Sequence, residues 1–148
     1  MKIISHRANL SGPNSAIHGE NHPNSIEHVL SLGYDVEIDV SFVYNTFYLG
    51  HHSLEYSIDI DFLKKSGLWV HCKNIQAFNK LIKENIHCFF HDVDDCTLTS
   101  KKYIWTFPKK YIPLTDISVA VLPEKVPEWD LSVCYGICTD YVERYDIK

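Results

Sequence analysis

A regular succession of short apolar segments constrains the fold of this chain more than any other feature. Each segment has the length and composition of a strand, and strand and connection alternate seven times. This alternation favours an α/β domain with a parallel sheet, either open or closed into a barrel. We place strands at residues 2–5, 34–40, 46–49, 68–72, 88–91, 103–107, 117–122 and 135–139, and helices at about 26–32, 59–65 and 75–84.

The size and composition of the chain limit what the domain can be. Its 148 residues fit a single domain over 1–148. An ordinary (βα)8 barrel needs about 200–250 residues, so a closed barrel here must be a trimmed one. The chain is 45% hydrophobic and 22% charged, which is typical of globular proteins and excludes a disordered chain. The net charge of -5 argues against nucleic-acid binding as the main role.

The N-terminal sequence and the cysteines bear on the compartment. The chain has no run of 18 or more apolar residues, so we expect no membrane span. The N-terminal residues 1–7 become polar too early for a signal peptide. The five cysteines contain no CxxC pair, which argues against structural zinc and indicates reduced thiols in a cytoplasmic protein.

The strand with the sequence DVEIDV, residues 35–40, has an unusual polar face. Its three carboxylates share one face of the strand and its three aliphatic side chains share the other. Buried carboxylates in a parallel sheet are costly without a positive partner, and a divalent cation such as Mg2+, Ca2+ or Mn2+ would supply one. An exposed edge strand with a wet polar face explains the pattern equally well, so both interpretations stay open.

Ionisable residues recur where strands end. Catalytic groups in α/β barrels come from the C-terminal ends of different strands, which meet at one mouth. We therefore expect one shared site rather than several unrelated surface positions. The strand ends in question carry His6 and Arg7, Glu37 and Asp39, His71 and Lys73, and His91 and Asp92.

Several of these residues belong to an ordered set of motifs. His6-Arg7 is followed by Glu20-Asn21, by the segment GYDVEIDV at 33–40 and by His51. This set resembles the glycerophosphodiester phosphodiesterase family, a group of TIM-barrel phosphodiesterases, over the first third of the chain. The segment GICTD at 136–140 resembles the closing strand motif of that family. The resemblance implies a compact, trimmed TIM-type parallel β/α barrel with about seven or eight strands.

The resemblance also implies a role for each matching residue. His6 and His51 would be the acid–base pair, one taking a proton from the attacking hydroxyl and the other giving one to the leaving alkoxide. Arg7 would hold the substrate phosphate through its fork of donors. Lys73 matches a lysine after the third strand of the family and would bind the phosphate with Arg7.

The implied metal site departs from the family pattern. Glu37 and Asp39 would bind the divalent ion, Mg2+ or Ca2+ or else Mn2+, and Glu20 would add a carboxylate if its loop folds inward. His71 stands where the family has a glutamate. Imidazole can ligate a metal, so His71 implies either a ligand with an altered metal preference or loss of the metal. Ala8 replaces the glycine of the His-Arg-Gly motif, and His52 replaces an aspartate.

The activity implied is metal-dependent hydrolysis of a phosphodiester, either glycerophosphodiester-like or a phosphate-linked sugar or polyol. The partner would then be a small molecule, with neither nucleic acid nor a membrane span involved. A second interpretation is a degenerate barrel that binds a phosphorylated ligand without turnover. A third is a metal-dependent lyase that acts on a choline-type phospholipid. The substrate, the metal and the oligomeric state are not fixed by the sequence.

Overall fold

A computed structural model describes residues 1–109 and 112–146 of the chain. Within these residues the chain forms ten strands and four α-helices. The strands are β1 Lys2–His6, β2 Asp35–Val43, β3 Thr46–Leu49, β4 Tyr56–Ile58, β5 Leu68–Cys72, β6 Cys88–Phe90, β7 Cys96–Leu98, β8 Ile104–Thr106, β9 Ser118–Val121 and β10 Gly136–Thr139. The helices are α1 Pro23–Ser31, α2 Ile60–Leu63, α3 Ile75–Lys83 and α4 Val142–Tyr145, with 3-10 turns at Pro123–Lys125 and Leu131–Val133.

The strands form one mixed sheet in the order β4-β3-β2-β1-β10-β9-β8-β7, and β5 pairs with both β2 and β6. Strand β2 is long enough to pair with different neighbouring strands along its length. Its first half runs parallel to β1 and β5, and its second half pairs antiparallel with β3. The parallel pairs β1–β10, β10–β9 and β9–β8 extend the sheet on the other side.

The TIM-type parallel β/α barrel that we predicted is wrong. The sheet is a mixed half-barrel, because β2–β3, β3–β4 and β7–β8 are antiparallel pairs. The connections explain these directions: two residues join β2 to β3 and five join β7 to β8, whereas a parallel return needs a dozen or more. Only α1 and α3 reach nine residues, and α2 and α4 are single turns. Four such helices cannot form the outer ring of a TIM barrel.

Most predicted strands are confirmed to within one or two residues, and β2 ends three residues later than predicted. The helices follow from local signals. Pro23 opens α1, and Gly33 follows it with a φ of +89°. The Asn74 side chain accepts a hydrogen bond from the backbone of Ala77 and so caps α3. Strand β4 was not predicted, and neither was β7, which lies between the strands predicted at 88–91 and 103–107.

Two apolar clusters hold the sheet from its two faces. Aliphatic residues of β2 pack with α1 and α3 on the convex side, where Ile26, Val36, Ile38 and Leu81 are fully buried. The concave side holds a cluster rich in aromatic rings, with Ile4, Trp69, Phe89, Trp105, Val119 and Cys138 among its members. The carboxylate face of β2 therefore turns into the concave side, where β5 presents Trp69 and His71.

The exposed-edge interpretation of the β2 polar face is wrong. Strand β2 lies between β1 and β5, and Glu37 and Asp39 are only 2% and 0% exposed. Asp35 sits at the opposite end of the strand, where it accepts hydrogen bonds from the Trp69 indole at 2.9 Å and the Lys2 ammonium at 3.2 Å. None of the helices in the described residues is long and apolar enough to cross a membrane.

Candidate functional site

The C-terminal ends of β1, β2, β5 and β10 surround a cleft of about 840 Å3, called here the strand-end cleft. The sheet register sets this arrangement, because His6 lies opposite Glu37 and Asp39 lies opposite His71. Seven of the eight predicted site residues line the cleft, and the eighth, Asp39, lies beneath them in contact with several. The seven are His6, Arg7, Glu20, Glu37, His51, His71 and Lys73.

Three buried residues form a candidate metal centre at the base of the cleft. Glu37, Asp39 and His71 each offer a ligand atom, and these atoms lie within 4.8 Å of one another. The His71 Nδ1 is 3.1 Å from Asp39 Oδ1 and 3.6 Å from Glu37 Oε1. Buried atoms of all three side chains, Glu37 Oε2, Asp39 Oδ1 and His71 Nε2, have no partner with hydrogen-bonding geometry in the described residues. Unpaired buried polar atoms are costly, so the cluster is suited to bind a ligand.

Asp39 collects more charged and polar neighbours than any other residue of the site. The Arg7 Nε lies 3.0 Å from Asp39 Oδ2, and His51 Nδ1 lies 3.1 Å from the same oxygen. The Asn21 amide donates to Oδ2 at 3.1 Å and accepts from the Asp39 backbone at 2.9 Å. The Lys73 ammonium is 3.8 Å from Oδ1. Asp39 thus contacts both phosphate-binding candidates, Arg7 and Lys73, and one of the two proton-transfer candidates, His51.

These contacts set the charge of the buried pair Asp39 and His71. Burial alone would raise the pKa of Asp39, but hydrogen bonds from His51 and His71 hold it well below its usual range. Burial opposes the charge on His71, yet its hydrogen bonds to Asp39 and Glu37 raise its pKa to about 9. His71 is therefore an imidazolium near neutral pH in the metal-free protein.

His6 has a separate carboxylate partner. Its Nδ1 lies 2.8 Å from Asp140 Oδ1, and its Nε2 lies 3.9 Å from Glu37 Oε2. Burial lowers the pKa of His6, but the hydrogen bond to Asp140 and the charge of Glu37 outweigh burial and raise it. The Asn9 amide donates to the same Asp140 oxygen at 2.8 Å and so orients that carboxylate.

His51 shares one nitrogen between two partners of opposite charge. The Arg7 Nη2 lies 2.8 Å from His51 Nδ1, and Asp39 Oδ2 lies 3.1 Å from it. A guanidinium only donates and a carboxylate only accepts, so Nδ1 accepts from Arg7 in the tautomer without a hydrogen there and donates to Asp39 in the tautomer with one. Both tautomers of His51 therefore find a partner at nearly the same place.

Glu20 was predicted as a fourth metal ligand, and the structure places it outside the cluster of three. Its carboxylate accepts a hydrogen bond from Asn9 at 2.6 Å and lies 3.5 Å from Arg7 Nη1. Glu20 thus helps to orient Arg7 from the side opposite Asp39. The loop folds inward, as the prediction required, but Glu20 meets the guanidinium rather than the carboxylate cluster.

Sequence reasoning missed three residues that support the site. Asp140 directly follows β10 as the last residue of the GICTD segment, so the strand-end rule that found His6 could also have found it. Asn21 was named only as part of the Glu20-Asn21 motif, without a role. Asn9 carries no signal, because it lies in a loop whose path is set by left-handed conformations at Arg7 and Ala8, with φ of 55° and 69°. No local pattern predicts where that loop leads.

The strand-end cleft has a second wall, which is mostly apolar and faces the charged residues described above. Its residues come from the ends of β6, β8 and β9, and most of them are apolar. The His91 imidazole stacks on the Phe107 ring, with centroids 3.5 Å apart and planes inclined by 17°. This apolar wall consists of Phe90, His91, Trp105, Phe107, Pro108, Val121 and Leu122, and the exposed side chains of Asp92 and Lys125 line the cleft next to it.

Comparison with protein-family models, curated proteins and solved structures finds no match for this chain. The likeness to glycerophosphodiester phosphodiesterases therefore remains a prediction from motifs. The geometry of the strand-end cleft supplies the observations from which a function can be inferred.

Proposed function

We propose that this protein is a metal-dependent phosphodiesterase that hydrolyses a small phosphodiester in the strand-end cleft. The motif resemblance suggests a glycerophosphodiester-like substrate or a phosphate-linked sugar or polyol. The observation that carries the proposal is the convergence of His6 and His51 around the buried cluster of Glu37, Asp39 and His71. Two histidines, a cation-sized acidic cluster and phosphate-binding cations in one cleft are the groups that this reaction needs.

The candidate metal centre fits a divalent cation. Glu37 and Asp39 offer carboxylate oxygens, which suit Mg2+, Ca2+ or Mn2+, and His71 adds an imidazole. Buried Glu37 Oε2 and Asp39 Oδ1 have no partner with hydrogen-bonding geometry in the described residues, so both oxygens remain available as ligands. When bound, such an ion offsets the negative charge of the phosphodiester and of its transition state.

Arg7 and Lys73 are placed to bind the phosphate. Both side chains are partly exposed to the cleft and both are anchored by Asp39 from below. Glu20 and His51 hold the other nitrogens of Arg7. The guanidinium is therefore fixed before substrate arrives, which lowers the entropic cost of orienting the phosphate.

His6 and His51 would divide the proton transfers between them. Asp140 holds the Nδ1–H of His6 and favours its charged form, so His6 is suited to give a proton to the leaving alkoxide. His51 that donates its Nδ1–H to Asp39 Oδ2 has Nε2 unprotonated, and Nε2 is then suited to take a proton from the attacking hydroxyl. That hydroxyl belongs to water, or to the substrate itself if a cyclic phosphate forms first as in the resembled family.

One observation favours a second candidate function, the binding of a phosphorylated ligand without turnover. The raised pKa of His71 means that its own positive charge neutralises Glu37 and Asp39 without a metal. Arg7, Lys73 and His6 would still bind a phosphate in that state. The two candidates differ in whether a cation displaces the proton of His71.

A single assay separates these candidates. The protein is incubated with bis-p-nitrophenyl phosphate and with glycerophosphodiesters, in Mg2+, Ca2+ or Mn2+ and then in chelator. Phosphodiester hydrolysis that requires the metal is expected, with a loss of about 100-fold or more in kcat for His6→Ala. Glu37→Gln should abolish the metal requirement together with the activity.

Matched variants control for a general loss of folded protein. His28→Ala and Glu128→Gln change an exposed histidine and an exposed glutamate away from the cleft, so they should retain full activity. Turnover that survives chelation and both site substitutions refutes the catalytic proposal. Absence of turnover, together with phosphate-ester binding that Arg7→Ala removes, supports the binding function instead.

A further inference from the structure

The strand-end cleft is larger than a phosphate and a metal ion require. Its volume of about 840 Å3 is in the range of about 300–1,000 Å3 that holds a whole organic ligand. The charged groups occupy one wall, and the apolar wall is left without a part in the proposed reaction. This division indicates that the substrate has an apolar portion attached to its phosphate.

The apolar wall presents a flat surface. The Phe107 ring lines the cleft, and His91 covers it in a nearly parallel stack. Phe90 is 37% exposed beside the stack, at the end of β6, which pairs only with β5 in the described residues. Trp105 supports the wall from beneath and is itself packed on Phe89 at 4.6 Å. Rigid support of this kind is typical of a preformed binding surface.

We propose that Phe107 and His91 form a ring-binding subsite, and that one arm of the substrate phosphodiester carries a planar aromatic ring. This inference rests on the proposed function and names the class of substrate for the same cleft. The ring would lie against the Phe107–His91 stack while Arg7 and Lys73 hold the phosphate on the facing wall. Phenyl esters and nucleoside esters share this chemistry.

The character of the wall favours a planar ring over a hydroxyl-rich arm. Hydroxyl groups placed against Phe90, Phe107 and Pro108 would lose hydrogen bonds to water and find none in return, which is unfavourable. An aromatic ring has no such groups on its face and gains stacking with the phenylalanine. A saturated ring of equal size has a similar apolar area but cannot stack flat, which provides a direct comparison.

Binding of inert analogues tests the subsite separately from turnover. Phenyl methylphosphonate and cyclohexyl methylphosphonate are titrated by calorimetry into the protein with Ca2+. The two probes share the phosphonate and the number of ring carbons, and differ in planarity. The phenyl probe should bind about three- to tenfold more tightly, because the pairing of two aromatic rings adds a gain of this size beyond the burial of equal apolar area.

Phe107→Leu should remove this preference and leave the affinity for methyl methylphosphonate unchanged. Phe62→Leu is the matched control, since Phe62 is a half-buried phenylalanine on α2 that does not line the cleft. A nucleoside methylphosphonate distinguishes a nucleoside arm from a simple aryl arm by binding more tightly than the phenyl probe.

The outcomes distinguish the two proposals. Equal affinity of the wild-type protein for the phenyl and cyclohexyl probes, or failure of both to bind, overturns the ring-binding subsite. A preference that Phe107→Leu leaves intact also overturns it. A phenyl preference in a protein that shows no hydrolysis supports the subsite and refutes the phosphodiesterase, whereas hydrolysis without ring preference does the reverse.

Discussion

The charge of His71 should make the stability of the metal-free protein fall as pH rises above neutrality. Its pKa of about 9 in the folded protein exceeds the ordinary value of 6.5 that applies after unfolding. A group with a raised folded pKa stabilises fully below its unfolded pKa. That contribution is lost as pH rises through the folded pKa, so the affected window runs from pH 6.5 to about 9.

The size of the effect follows from the proton linkage. Between these pKa values the folded protein binds about one proton more than the unfolded chain, so stability falls by about 1.4 kcal/mol per pH unit. Rounding at both ends reduces the loss to about 2 kcal/mol between about pH 6.5 and 8.5. The raised pKa of His6 adds a loss of the same sign. Burial raises the pKa of thiols such as Cys138, which lowers stability further above about pH 8.5. Wild type and variant are therefore compared only up to that pH.

Urea denaturation followed by tryptophan fluorescence measures this loss in buffers with chelator. His71→Gln is the matched variant, because it keeps a polar side chain but cannot take up a proton. The difference in unfolding free energy between wild type and His71→Gln should shrink by about 2 kcal/mol from about pH 6.5 to 8.5. A difference that is constant or grows over this window refutes the charged pair of His71 with Asp39 and Glu37.

Three other predictions concern the stability of the fold and are tested by the same denaturation assay. Gly50→Ala should destabilise by about 3 kcal/mol, because φ is +143° and the added Cβ would collide with the Ser53 carbonyl; retention of wild-type stability contradicts this. Asn21→Ala should cost about 1–3 kcal/mol, since it removes two hydrogen bonds to buried Asp39, and a neutral result contradicts that role. Burial and the charge of a nearby lysine lower the pKa of His87 to about 4, so stability should fall as pH decreases from 6.5 toward 4. His87→Gln should lessen that fall, and an unchanged acid profile would count against it.

The positions of the strands could be predicted because alternation and apolar runs are local properties. Strand β3 and strand β5 begin and end where the sequence indicates. The prediction of a parallel sheet was wrong for the three antiparallel pairs, although one signal for an antiparallel pair was present. The turn of Tyr44 and Asn45, both at positive φ, joins β2 to β3 in two residues, and a connection this short permits only an antiparallel pair.

Strand β7 shows the limit of local reasoning. Its residues Cys96–Leu98 are exposed or half-buried, and the sequence around them is polar. They become a strand because β8 offers an unpaired edge, with Cys96 opposite Thr106 and Leu98 opposite Ile104. A strand whose order comes from its partner carries little periodic signal of its own.

The site was easier to predict than the sheet that carries it. Parallel strand ends meet at one edge whether or not the sheet closes, so His6, Glu37 and His71 come together in a half-barrel as they would in a barrel. The prediction of a shared cleft needed only the parallel neighbours β1, β2 and β5. Glu20 could not be placed in this way, because its position depends on the fold of a loop.

The buried pair of Glu37 and Asp39 also explains why the sequence alone does not decide between catalysis and binding without turnover. Glu37 and Asp39 need positive charge, and the protein supplies it from β1 through Arg7 and from β5 through His71. A divalent cation at the same place requires neutral His71, so the proton and the metal exclude each other. Metal affinity should therefore rise with pH up to about 9, the pKa of His71. A glutamate at position 71 would not bring a positive charge that competes with the metal ion. Because His71 does bring one, the metal-bound and metal-free forms are close alternatives.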